Sequence, residues 1–127
     1  MKTINLAVNG TLMRDLKLNQ NLLNVGAEFV KEAQTEPTYR LWSIDDKYPA
    51  MQRVNESGTN IDVEIWAVPL EGLAQILLQE PPGLCIGKVR LDSGEEVLGV
   101  VGETIACEGK KEITNYGGWR NYIQSMV

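Results

Sequence analysis

The chain has 127 residues, 43% of them hydrophobic and 23% charged, and its 12 Lys and Arg against 17 Asp and Glu give a formal net charge of −5. That suffices for one ordinary domain with a buried core, and cations scattered so that only Lys110 and Lys111 adjoin offer no basic stripe for nucleic-acid phosphates. No apolar run approaches the roughly 20 residues that cross a bilayer, and Met1 to Asn5 lead into a strand-like run with no signal-peptide core, so no membrane partner is expected and the chain reads as cytoplasmic and unprocessed.

In chain order, Ile4 to Val8 reads as a first strand that stops at Asn9-Gly10-Thr11, where glycine permits a turn and leaves amides bare. Gln20 to Val25 reads as a short helix with Asn19 as N-cap and Gly26 as stop. Phe29–Ala33 and Tyr39–Ile44 read as strands parted by Pro37, and Ala50–Val54 as another after the break at Pro49. In Ile61 to Val68, the residues Ile61, Val63, Ile65 and Ala67 share one face, while Asp62, Glu64 and Trp66 share a second face expected to point outward. Pro69 then opens a helix in which Leu70, Leu73, Ala74 and Leu77 recur at helical spacing, ending before Pro81-Pro82-Gly83. Leu84–Leu91, the turn Asp92-Ser93-Gly94 and Glu96–Val101 read as a hairpin. A last strand is expected near Thr104–Cys107, and Gly117 to Tyr122 as a tail whose short helix, around Trp119–Gln124, docks on the body. The sum is an α+β, mostly β, single domain over 1–127: a small closed or nearly closed barrel with two or three flanking helices.

Histidine is absent, which removes every Ser-His, Cys-His and His-metal mechanism. Cys85 and Cys107 lack metal-ligand spacing and read as two buried thiols; no metal or cofactor is expected. Two stretches carry more polar information than packing needs. At Asn9-Gly10-Thr11-Leu12-Met13 the amides of Gly10, Thr11 and Leu12 can converge on a carboxylate or oxyanion, unless this is a plain strand-to-loop turn. At Gln79-Glu80-Pro81-Pro82-Gly83 a carboxylate stands at the negative end of a helix against a rigid double proline. Both that dipole and desolvation would raise its pKa and suit it to proton transfer, and the competing reading is a solvated helix-end residue. Arg40, like Arg53, could clamp a carboxylate or simply sit on a strand surface.

Leu6 to Met13 resembles the glycine-turn motif that opens γ-glutamylcyclotransferase-like domains. More of the chain resembles one branch of that superfamily, the C-terminal domain of allophanate hydrolase. The matching segments are Lys17 to Gln20, Thr35 to Trp42, Tyr48 to Met51, Asp62 to Pro69, Pro81 to Val89, Glu108-Gly109 and Ile113 to Tyr122. The resemblance implies a small β-barrel with a cavity whose mouth holds the glycine turn. It also implies that the turn binds a substrate carboxylate, and that a glutamate in the segment matching Glu80 is the general acid/base. The chain departs from the family pattern in two ways: Asn9 replaces the usual aromatic residue before the glycine, and Gly10-Thr11-Leu12-Met13 stands where the allophanate hydrolase branch often has Gly-Ala-His-Leu.

The expectation is therefore a stand-alone relative that binds a small carboxylate- or amide-bearing metabolite through Asn9, Gly10, Thr11, Leu12 and Met13, with Tyr39 or Arg40 contributing and Glu80 moving a proton without metal. One alternative is a γ-glutamylcyclotransferase, in which the substrate's own α-amine attacks its γ-carbonyl with help from Glu80 and 5-oxoproline is released. Another is a non-catalytic module that assists a separately encoded amidase.

Overall fold

The computed structural model describes residues 2–127. Its strands are β1 (Thr3–Val8), β2 (Glu28–Gln34), β3 (Tyr39–Ile44), β4 (Tyr48–Arg53), β5 (Asp62–Pro69), β6 (Leu84–Arg90), β7 (Glu96–Gly102) and the two-residue β8 (Lys111–Glu112). The helices are α1 (Asn19–Asn24), α2 (Leu70–Gln79), α3 (Thr104–Cys107) and α4 (Trp119–Ser125). None of them is long and apolar enough to cross a membrane.

β1 lies at the centre of the larger sheet, whose order is β2-β5-β1-β7-β6, because Leu6, Ala7 and Val8 are all buried, as suits a strand covered on both faces. It runs antiparallel to β5, from Thr3 opposite Pro69 to Val8 opposite Glu64, and parallel to β7 at Leu6 and Ala7. The Asp92-Ser93-Gly94 turn closes the expected hairpin, with β6 and β7 in register from Leu84 opposite Gly102 to Arg90 opposite Glu96. A register shift between Phe29 and Lys31 leaves Val30 as a bulge on the edge strand β2. The smaller sheet has the order β4-β3-β8.

The sheets do not close into a barrel. The two edges of the larger sheet touch at one end only, where Thr35 bridges Leu91, Glu36 N–H donates to Arg90 O at 2.9 Å and Asp92 N–H donates to Gln34 O at 3.0 Å. Closure fails beyond this clasp because β3 and β4 belong to a separate sheet.

Four local expectations also change. Thr104–Cys107 is a helical turn: β7 ends at Gly102, where an added Cβ would stand 2.7 Å from Ala50 Cβ, and Glu103 N–H donates to Gly83 O and turns the chain away. Asn19 does not cap α1; its Nδ2 donates to Leu12 O at 2.8 Å. Pro49 does not break its strand but sits within β4, an edge strand, where a missing donor is tolerated. Cys107 is buried, whereas Cys85 is exposed on the edge strand β6.

The largest correction concerns β5. Glu64 and Trp66 do not point outward, each being only 2% exposed. Arg14 and Arg120 fold over that face, and the Glu64 carboxylate accepts from Arg14 N–H (2.9 Å), Arg14 Nε (3.1 Å), Arg120 Nη2 (3.2 Å) and Trp66 Nε1 (3.1 Å). Arg14 also lies 3.8 Å over the Phe29 ring, which meets Trp66 edge-on. A charge this deep survives because each oxygen has two donors.

Candidate functional site

A cleft of about 440 Å³ opens where the end of β1, the β3–β4 hairpin and the end of α2 meet. The turn after β1 forms its floor. Three successive carbonyls there are held by the protein: Gly10 O accepts from Met13 N–H, Thr11 O from Leu18 N–H and Leu12 O from Asn19 Nδ2. The N–H groups of Gly10, Thr11 and Leu12 make no bond to a backbone acceptor among the described residues. A turn that engages its carbonyls and leaves consecutive amides free is suited to an anionic oxygen. Position 10 must be glycine for a steric reason, since a Cβ would stand 2.5 Å from Pro49 Cδ and 2.7 Å from Pro49 Cγ.

Glu80 reaches the opposite wall. α2 stops at Gln79 because Pro81 disfavours helical backbone at the residue before it, and Glu80 adopts extended geometry. Its carboxylate is half-buried, has no cationic partner within 4 Å among the described residues, and is pushed above the ordinary glutamate pKa by that burial. A carboxyl group so placed can hold a proton nearer neutrality than a solvated one.

Burial of this kind has a measurable sign. A carboxyl whose folded pKa lies above its unfolded value contributes stability in acid, and that contribution is lost as pH rises through the folded pKa. Glu80→Gln removes the ionisation. The variant is therefore expected to melt higher than the wild type at neutral pH, with the gap closing as pH falls through the raised pKa and gone below the ordinary glutamate range, as followed by thermal denaturation across pH. A constant offset at every pH would show that the Glu80 carboxyl is not desolvated.

The third wall is the tip of the β3–β4 hairpin. Asp45 and Asp46 both have positive φ, 56° and 59°, and Lys47 N–H donates back to Ile44 O. This is a type I′ turn built from aspartates, which tolerate left-handed backbone better than most residues. Ser43 Oγ and Tyr122 OH on α4 both donate to Asp46 Oδ1 at 2.6 Å and hold its carboxyl below the usual range. Lys47 beside it and Lys17 across the mouth have no carboxylate partner within 4 Å among the described residues, so the mouth carries two uncommitted cations in a chain of net charge −5. Sequence reading missed Lys17, Asp46 and Lys47, because a lone lysine in a loop has no signature and only the hairpin brings these residues to the turn.

The structure thus brings Asn9, Gly10, Thr11, Leu12 and Glu80 to one cleft and leaves the other three expected residues outside it. Met13 is buried and faces a different groove. Tyr39 points into the core, its hydroxyl accepting from Arg90 N–H at 3.2 Å. Arg40, on the opposite side of β3, is locked in a two-pronged pair with Glu112 over the Trp42 ring. Alternation along β3 sends these neighbours to opposite faces, and the cleft opens beyond the hairpin tip. The groove beside Met13 is larger, about 620 Å³, but the buried Glu64 beneath it already has its two oxygens occupied by Arg14, Arg120 and Trp66. No three acidic or thiol side chains among the described residues are grouped to hold a metal.

Comparison with known proteins gives this arrangement a lineage. The family model described as the allophanate hydrolase C-terminal domain matches residues 4–124, and the chain belongs to that family. It is 32% identical to the urea amidolyase of Lachancea kluyveri over 131 residues, a match that covers 98% of this chain and 7% of that protein. Among solved structures it is similar to a uropathogenic E. coli-specific protein, at 55% identity and a TM-score of 0.96, with 98% of each chain covered. It is also similar to Kluyveromyces lactis allophanate hydrolase, at 28% identity and a TM-score of 0.94, covering 100% of this chain and 22% of that one. More distant solved chains, at 21% identity or less, share the mixed α+β, γ-glutamylcyclotransferase-like fold alone.

Proposed function

We propose that the cleft binds a small carboxylate- or amide-bearing metabolite and that Glu80 exchanges a proton with it. The observation that carries this reading is the meeting, in one cleft, of three unpaired turn amides with a half-buried carboxyl that has no partner of its own. The ligand carboxylate lies against the Gly10, Thr11 and Leu12 amides, Lys17 and Lys47 attract it to the mouth, and Glu80 holds or releases a proton at the group beyond. The reaction class this suits best is proton-assisted bond cleavage or ring closure at a carbonyl. It includes 5-oxoproline release from γ-glutamyl substrates and the breakdown of unstable carboxylated amides.

A second feature favours a setting beside an amidase. The first two curated relatives, urea amidolyases of two yeasts, carry the matching region as 7% of their length. We infer a working partnership with an amidase, whose product the cleft would receive.

Isothermal titration with malonate, 5-oxoproline and γ-glutamyl amino acids tests the reading. Binding of at least one of them is expected, weakened by about tenfold or more in the Lys17→Ala/Lys47→Ala double variant at low ionic strength and by less at high salt. Absence of heat with every one of these ligands would remove the carboxylate-binding role.

A further inference from the structure

Asn9 closes the inner end of the cleft, and its polar side chain is buried there, at 3% exposure. Its orientation is fixed by chemistry. Nδ2 donates to Val100 O at 2.9 Å, with Met51 Sδ 3.9 Å away, and a carbonyl oxygen can only accept, so the amide cannot be reversed without setting two acceptors against each other. The other end of the amide, Oδ1, has no donor among the described residues. Every fully enclosed side-chain nitrogen and oxygen among the described residues does have a partner, so Oδ1 is not enclosed. Since Asn9 is otherwise buried and lines the cleft, the opening left to Oδ1 is the cleft itself.

We propose that Asn9 is a specificity-determining acceptor: its Oδ1 receives a hydrogen bond from an N–H of the ligand, so the cleft prefers small carboxylates that also carry an amide or amine N–H over isosteres that lack one. This rests on the carboxylate-binding reading above and adds a donor requirement to it. The turn amides and the two lysines recognise negative charge and would accept any small carboxylate. Oδ1 recognises the opposite polarity, a hydrogen donor, within the same cleft. A ligand without that donor strips water from Oδ1 and returns nothing, and sites with a dedicated polar partner discriminate most strongly in this way. A carboxylic acid is the less suitable donor, because it arrives ionised at neutral pH and so offers no hydrogen.

Two isosteric pairs test this by titration calorimetry on the wild-type chain. 5-Oxoproline and the lactone 5-oxotetrahydrofuran-2-carboxylate differ by ring N–H against ring oxygen. Succinamate and levulinate differ by NH₂ against CH₃. The N–H member of at least one pair is expected to bind about tenfold or more tightly than its isostere. In Asn9→Leu, which keeps the shape and loses both polar atoms, the preference is expected to fall to about twofold or less; Asn9→Ser, with its acceptor withdrawn, replaces it if the leucine variant does not fold. Equal affinity within both pairs would overturn the proposal while leaving the carboxylate reading standing. A preference that persists in the folded variant would overturn Asn9 as its source. Failure of all four compounds, and of malonate, to bind would overturn both.

Discussion

Glu64→Ala is expected to destabilise the fold by about 3 kcal/mol, measured by urea denaturation at neutral pH. The carboxylate is 2% exposed and accepts four hydrogen bonds from groups on three separate segments: Arg14 on the loop after β1, Trp66 on β5 and Arg120 on α4. Removing it leaves the Trp66 N–H without an acceptor, at about 1–3 kcal/mol for a buried donor, and strips two guanidinium groups of their counter-charge. Breaking a fully buried pair costs about 3–5 kcal/mol. Here the arginine side chains are 40% and 36% exposed and recover part of that by turning to water, which holds the total near the lower figure. Glu64→Gln, which keeps one acceptor and loses the charge, should fall between the two. A loss below about 1 kcal/mol for the alanine variant would mean that the two arginines do not depend on this carboxylate for their place over β5.

Gly10→Ala is expected to damage stability and ligand binding together. The added methyl would stand 2.5 Å from Pro49 Cδ. The proline ring cannot rotate away, and β4 holds it opposite Ser43, so the turn itself must move. Overpacking of this kind costs about 1–3 kcal/mol. A displacement of about 1 Å in the groups that position a ligand costs on the order of 100-fold in function, so carboxylate binding should fall further than stability alone predicts. Gly87→Ala is the control: its Cβ would meet Val101 Cγ2 at 3.3 Å, a contact that a small shift relieves. Adding Pro49→Ala to Gly10→Ala should restore much of the lost stability, since the two residues contact each other and their effects are not additive. A Gly10→Ala chain as stable as wild type, with its binding intact, would show that the approach of β4 does not constrain the turn.

What the sequence reveals of this molecule follows the range of the forces involved. Alternation along Ile61 to Val68, helical spacing from Leu70 to Leu77 and the Asp92-Ser93-Gly94 turn are local signals, and they place β5, α2 and the β6–β7 hairpin. The glycine turn and Glu80 are legible for the same reason, each being marked by its neighbours: Gly10 by the end of a strand, Glu80 by two prolines. Alternation misleads at Glu64 and Trp66, because the groups that cover them come from Arg14 and Arg120, some fifty residues away on either side, and nothing in the strand announces them. Thr104–Cys107 is too short for periodicity to tell helix from strand. The open edges of the larger sheet depend on which sheet β3 joins, a matter of global packing. Tyr39 and Arg40 looked promising for their chemistry, but the face that each presents is set by the pairing of β3 with β4 and β8.

The central place of β1 bears on how the molecule comes to be folded. Leu6 is flanked by Trp66 on one side and Leu98 on the other, so both of its partners lie far along the chain. Contacts this distant along the chain slow folding, towards the millisecond-to-second range of strand-dominated domains. The glycine turn hangs from the end of that strand and leans on Pro49, so the cleft takes shape only once β1 is clamped between β5 and β7. Until then Ile4 to Val8 is an apolar segment with unpaired edges, open to a chaperone or to a neighbouring copy.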